Sequence, residues 1–136
     1  MLSISVAILL AVLSYVPTFA DSMDTPAKEP MNVEYLHVNS VTASLSITGG
    51  TAHVGVTVSG IPNHTTKIET VVTLQRKSGN SWVKDKRWNK SVNDYMLIMN
   101  KSKSVTNGTY RVKCVTKAYH NADYETITKY SGQVTY

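Results

Sequence analysis

Val105 to Val115 reads VTNGTYRVKCV, and its alternation decides the fold. After the Asn107-Gly108 turn signal, Tyr110, Val112 and Cys114 fall on one parity and Arg111 and Lys113 on the other. Successive side chains of an extended strand point to opposite faces, and lysine and arginine seek water. Tyr110, Val112 and Cys114 are therefore expected to face a core. Cys114 is the chain's single cysteine and its most obvious nucleophile by residue type. A reactive thiol needs a helix N-terminus, a histidine or a cation beside it, together with solvent access. A mid-strand inward position supplies neither, so Cys114 is expected to act as a small core hydrophobe. A reactive thiol and a bridge to a second chain are the lesser readings.

Working outward, period-two alternation recurs between turn signals, and no segment sustains a helical period. Val41, Ala43, Leu45 and Ile47 share one parity, whereas Leu36 and Val38 share the other, so a register shift is expected at Asn39-Ser40. After Gly49-Gly50, Ala52, Val54, Val56 and Val58 are expected inward, with Thr51, His53, Gly55 and Thr57 outward. Ile68, Thr70, Val72 and Leu74 oppose Glu69, Val71, Thr73 and Gln75. Ser78-Gly79-Asn80 then turns the chain into SWVKDKRW. YMLIM at Tyr95–Met99 is apolar on both parities, and a last strand from Tyr124 to Tyr136 is expected to kink at Gly132. The reading is an all-β domain over 33–136, a seven-stranded antiparallel sandwich.

Gly-Thr-Tyr after a turn, at the start of the penultimate strand, resembles the tyrosine corner of immunoglobulin-like and fibronectin type III-like sandwiches. There the hydroxyl bonds to backbone a few residues upstream. The position two after the tyrosine, a cysteine in antibody domains, is Val112 here. The corner alone carries over, without the inter-sheet disulfide.

The first twenty residues, MLSISVAILLAVLSYVPTFA, form an apolar run ending in Thr18-Phe19-Ala20, followed by Asp21-Ser22. They read as a cleaved signal peptide (1–20). DSMDTPAKEPMN (21–32) reads as a flexible lead-in. A secreted, soluble product with no membrane span is expected, stabilised by packing, because one cysteine cannot pair within its own chain. The sequons at Asn63, Asn89, Asn100 and Asn107 are read as a consequence of an Asn-, Ser- and Thr-rich composition.

Candidate chemistry is sparse. His37 and His53 fall on outward parities, and His64 and His120 in expected loops, without ligand spacing such as HExxH. All four are read as surface histidines, with no metal and no cofactor expected. Two carboxylates facing one cleft, as glycosidase chemistry requires, are not evident. Neither is a nucleophile motif, so no catalytic residue is assigned and the protein is expected not to be an enzyme.

The stretch WVKDKRW stands above this background. On a regular strand Trp82, Lys84, Lys86 and Trp88 share a face, and Val83, Asp85 and Arg87 share the other. Tryptophan favours burial and lysine favours water. Either the strand is irregular and one tryptophan, Trp82 by preference, covers the core edge, or the residues form an exposed aromatic and cationic face. Lysine on an edge strand also prevents edge-to-edge aggregation. In the exposed case Trp82, Lys84, Lys86, Arg87 and Trp88 form a candidate ligand-binding set for a sugar ring or an anionic polymer. The net charge of +5 among 136 residues favours anionic partners at long range. No nucleic-acid recognition motif accompanies it.

With TLQRKSGNSWVKDKRWNKS, VTNGTYRVK and ETITKYSGQVTY in view, the chain from Val33 to Tyr136 resembles small secreted proteins of Clostridia-type Gram-positive bacteria. These share the order LQ-K-SG-SW, W, GTYRVKV and a terminal YS--VTY. The resemblance implies export and a sandwich fold and assigns no activity. The expected function is a non-catalytic secreted module adhering to anionic or glycan polymers of the cell surface, such as wall polymers. The alternative is a protein interaction or assembly module that pairs through an exposed strand, Tyr95–Met99 or the terminal one.

Overall fold

Alternation of apolar and polar side chains divides the chain into strands that bury one face each. The computed structural model describes residues 34–136, so the expected signal peptide and lead-in lie outside the described residues. The strands are β1 (Val38–Thr48), β2 (Thr51–Gly60), β3 (Lys67–Ser78), β4 (Ser81–Val92), β5 (Met96–Ser104), β6 (Thr109–His120), β7 (Asp123–Tyr130) and β8 (Val134–Thr135). They form two antiparallel sheets, one ordered β1-β2-β5, the other β4-β3-β6-β7 with β8 also paired to β6. This is the all-β sandwich that the alternation implies. The expected seventh strand is broken at Ser131-Gly132-Gln133, and its second part returns to β6 as β8.

Turn chemistry sets the register. Gly49 and Gly50 both take positive φ, 56° and 76°, the requirement of the two-residue turn that matches strand twist in a tight hairpin. The pairing of β1 with β2 shifts between Val38 and Ser40, where the change of parity places it. Leu36 lies just before β1 and is exposed, so it does not join Val38 in the core. Strand alternation does not govern a residue outside the strand.

The core lies between the sheets. Ala52, Val54, Val56 and Val58 of β2 meet Ile68, Val72 and Leu74 of β3, Leu97 and Met99 of β5, and Tyr110, Val112, Cys114 and Ala118 of β6. Fully burying a valine- or leucine-sized side chain contributes roughly 1.5–3 kcal/mol. Cys114 is fully buried. Its Sγ lies 3.2 Å from Thr70 Oγ1 and 3.3 Å from Thr116 Oγ1, and the two hydroxyls lie 3.0 Å apart. Three buried polar groups thus satisfy one another, and the thiol meets no histidine or cation.

Tyr110, 1% exposed, donates its hydroxyl to the Thr106 carbonyl at 2.8 Å, tying the β5–β6 connection to the base of β6. Among the described residues no helix is long and apolar enough to cross a membrane.

Tyr110→Phe keeps the ring and removes that bond. Urea unfolding should show a loss of about 1 kcal/mol with an unchanged m-value. An unchanged midpoint would mean that the hydroxyl anchors nothing.

Candidate functional site

The two outer faces of the sandwich differ in chemistry. On the β1-β2-β5 sheet the outward positions are Thr42, Ser44, Ser46 and Thr48, then Thr51, His53, Gly55, Thr57 and Ser59, then Met96, Ile98, Asn100, Ser102 and Ser104. None is Lys, Arg, Asp or Glu. On the β4-β3-β6-β7 sheet, Glu69, Val71, Thr73 and Gln75 of β3 stand beside Lys117, Val115, Lys113 and Arg111 of β6. Tyr124, Thr126, Thr128 and Tyr130 of β7 continue the same face, pairing with Tyr119, Lys117, Val115 and Lys113.

The strand β4 completes this face through an irregularity. Val72 faces Trp88, Thr73 faces Arg87 and Leu74 faces Lys86, but Gln75 faces Lys84, leaving Asp85 as the extra residue of a bulge. A one-residue bulge reverses the parity beyond it. Trp82, Lys84 and Arg87 therefore lie on the outer face with Lys77, Gln75 and Thr73. Trp88 lies opposite Val72 and packs against the core, and Lys86 is exposed on the edge strand. The expectation that Trp82 covers the core edge is thus corrected: Trp88 does so. The regular-strand grouping of Trp82, Lys84, Lys86 and Trp88 is divided by the bulge. Asp85 leaves the outer face to meet Lys103 of β5 at 2.8 Å.

Toward one end of the outer face the Arg111 guanidinium lies 4.3 Å from the Trp82 ring and 4.3 Å from the Tyr130 ring. Its Nε donates to Gln75 Oε1 at 2.7 Å. A cation over an aromatic face is attracted by the ring quadrupole, and the two rings fix the guanidinium plane. Beside it a shallow groove of about 470 Å³ is lined by Trp82, Lys84, Arg87, Lys113, Thr73 and Gln75, over a floor of Val71 and Val115. Among the described residues no carboxylate pairs with Lys84, Arg87, Arg111 or Lys113.

Glu69, farther along β3, is the acid of this face, and it is already engaged. Lys67 Nζ lies 2.8 Å from Glu69 Oε2, and the Tyr119 hydroxyl donates to Oε1 at 2.9 Å. These hydrogen bonds, Lys67 first and Tyr119 second, hold the Glu69 carboxyl below its ordinary value of 4.5. The same bonds to Glu69 raise Lys67 and Tyr119 above their ordinary values.

The histidines depart most from the sequence reading. His37, expected outward, is buried. It precedes β1, its N–H donates to Glu125 Oε2, and its carbonyl accepts from the Thr65 hydroxyl. These bonds draw it under the turn before β3. His37 Nδ1 lies 3.0 Å from His64 Nε2, and His37 Nε2 lies 3.1 Å from Asp123 Oδ2. The His64 and His120 rings stack with centroids 4.0 Å apart and planes 4° from parallel. His120 ends β6 and is not in a loop, and its Nδ1 bonds the His64 carbonyl at 2.6 Å. His53 is exposed, as expected. Sequence spacing holds no signal for the cluster, because its members come from the segment before β1, the β2–β3 connection and the end of β6, brought together by the sandwich.

No protein-family model matches the chain, and no curated protein matches it.

Since the Glu69 carboxyl is lowered, its contribution to stability is complete above its ordinary value and is lost as pH falls through the lowered one. An NMR titration should place Glu69 below 4.5 in the native protein and return it toward that value in Lys67→Ala. An identical midpoint in both proteins would contradict the pairing.

Proposed function

We propose that this chain is a non-catalytic, exported binding module whose basic and aromatic sheet face holds an anionic polymer, most directly an anionic glycan or phosphate polymer of a Gram-positive cell wall. The observation carrying this reading is the segregation of charge. One outer face has no charged side chain, whereas the other sets Lys84, Arg87 and Lys113 around a groove that Trp82 also lines, with Arg111 stacked against Trp82 beside it. A flat, repeated array of cations with one layered arginine suits a flexible polyanion. A small molecule needs a deep pocket that buries most of its surface.

Arg111 stands apart from the lysines. Its planar guanidinium presents donors in a fixed fork suited to phosphate or carboxylate, and Trp82 and Tyr130 supply faces for a sugar ring. Lys84, Arg87 and Lys113 act through longer-range attraction, which salt screens over about 8 Å at physiological strength. An immunoglobulin-like or fibronectin type III-like type is part of the same proposal. It is supported by the Tyr110 bond to Thr106 at the start of the sixth strand and by two antiparallel sheets, of three and five strands, enclosing one core.

Assembly through Tyr95–Met99 has less support. Lys90 Nζ donates to the Ile98 carbonyl at 2.7 Å, and Lys103 joins β5 to Asp85 of β4. These contacts engage the edge that an added strand would need.

Binding to teichoic acid-bearing wall fractions should weaken steeply between 50 and 200 mM salt, and a Lys84→Gln, Arg87→Gln, Lys113→Gln variant should lose most of it while keeping its circular dichroism. Salt-independent retention, or full binding by the triple variant, would sink the proposal.

A further inference from the structure

The edges of the two sheets are not guarded alike. The β4 edge carries Lys84, Lys86, Arg87 and Lys90 and is bent by the bulge at Asp85. The β5 edge is engaged by Lys90 and Lys103, and the β7 edge carries Glu125 and Lys129 and breaks off at Ser131-Gly132-Gln133. Charges, bulges and short strands are the devices that keep an edge from pairing with another chain. β1 is the exception: it is an edge strand of 11 residues with no charged residue and no proline. Its irregularity falls at its beginning, between Val38 and Ser40, so Val41 to Ile47 run in regular register.

The hairpin fixes which backbone groups β1 turns outward. The Gly49-Gly50 turn closes on Thr48 and Thr51, which exchange hydrogen bonds in a two-residue hairpin of this kind. The Gly50 carbonyl accepts from the Val105 N–H at 2.9 Å on the β5 side, in step with that alternation. Thr42, Ser44, Ser46 and Thr48 therefore bond to β2, while Val41, Ala43, Leu45 and Ile47 turn their N–H and C=O groups away from it. Among the described residues β1 pairs with β2 alone, and no other backbone group bonds to those four residues. Their side chains point inward, yet Ala43, Leu45 and Ile47 are only half-buried, whereas Ala52, Val54, Val56 and Val58 of β2 are buried. The flank of the core is open along this edge.

The strand is complementary to itself. Laid antiparallel to a second β1 about a twofold axis through Ser44, it sets Val41 against Ile47 and Ala43 against Leu45. These are the residues with free backbone groups, so each such pair exchanges both of its hydrogen bonds. On the outer face Thr42 meets Ser46, and Ser44 meets its own copy. Apolar side chains thus oppose apolar ones, hydroxyls oppose hydroxyls, and no like charges stand across the strands. A shift of the axis to Ala43 or Leu45 leaves one of the four free residues without a mate.

We infer that β1 is a homodimerisation edge, on which a second copy of this chain pairs antiparallel about Ser44 and joins the two β1-β2-β5 sheets into one. The interface is isologous, the same surface serving both copies. A single strand pair covers less than the roughly 1,000 Å² of a stable interface, so the dimer is reversible and concentration-dependent. Because inward side chains of the two copies lie on the same side, the axis is perpendicular to the joined sheet. Both β4-β3-β6-β7 sheets then lie on one side of it with their basic faces turned the same way. The pairing itself needs no ligand. Taken with the polymer-binding reading, it lets one polyanion engage two copies at once, which raises avidity.

The test is sedimentation equilibrium of the purified protein over a wide concentration range, with no polymer present. The mass should rise from monomer toward dimer. Ser44→Lys, an exposed position that sets two ammonium groups face to face on the axis, should weaken association at least tenfold, and Ser102→Lys on β5 should leave it unchanged. Ser44→Cys should form a covalent dimer under mild oxidation, since a non-hydrogen-bonded antiparallel pair brings Cα atoms to about 4.5 Å. Ser46→Cys should not, because its copy stands four residues along, roughly 13 Å away. Cys114 is buried and does not compete. Circular dichroism of each variant separates loss of pairing from loss of the fold. A monomer at every concentration, association retained in Ser44→Lys, or equal cross-linking from Ser46→Cys would overturn the inference, and each outcome is independent of whether the basic face binds a polymer.

Discussion

The pairing of β3 with β6 fixes both what the sandwich hides and what it displays. In the observed register Thr70, Val72 and Leu74 face Thr116, Cys114 and Val112 inside, while Glu69, Thr73 and Gln75 face Lys117, Lys113 and Arg111 outside. A slip of one residue would reverse every side chain of a strand. It would carry Arg111, Lys113 and Lys117 into the core, where an unpaired charge costs several kcal/mol. The register is therefore held from both sides, by apolar burial within and by charge hydration without. The same constraint produces the basic platform as a by-product of stable folding, and the Thr70-Cys114-Thr116 group lies buried on the opposite, inner side of the sheet with its polar atoms satisfied.

Much of this was legible because strand alternation is a local property. The inward sets of β2, β3 and β6 follow from period two alone, the turns from Gly49-Gly50 and Gly79-Asn80, and the break near Gly132 from the interrupted alternation. The face of β4 was not legible, because one extra residue at Asp85 reverses parity and regular spacing contains no count of bulges. The available clue was chemical: a lone carboxylate between Lys84 and Lys86, which leaves the strand to reach Lys103. The histidine cluster was legible nowhere. His37 precedes its strand, where parity gives no direction, and its neighbours arrive from 27 and 86 residues away.

The separation of chemistry between surfaces gives the fold its functional character. A Ser-, Thr- and Asn-lined sheet face opposes a face of lysine, arginine and aromatic rings, and the imidazoles occupy a third place at the strand ends. Layering Arg111 between Trp82 and Tyr130 orders a side chain that would otherwise lose rotamer entropy on meeting a ligand. Such preorganisation strengthens binding by lowering the cost of ordering. The acids are kept from interfering, since Asp85 and Glu69 are each committed to a lysine.

The most direct measurement is an NMR titration of the isotope-labelled protein with a soluble teichoic acid fragment, following backbone amides and the tryptophan and arginine side-chain N–H signals. The account predicts perturbations concentrated at Trp82, Lys84, Arg87, Arg111 and Lys113, with Ser44, His53 and Ser102 unmoved. Perturbations centred on β1, β2 and β5, or spread evenly over both faces, would contradict it.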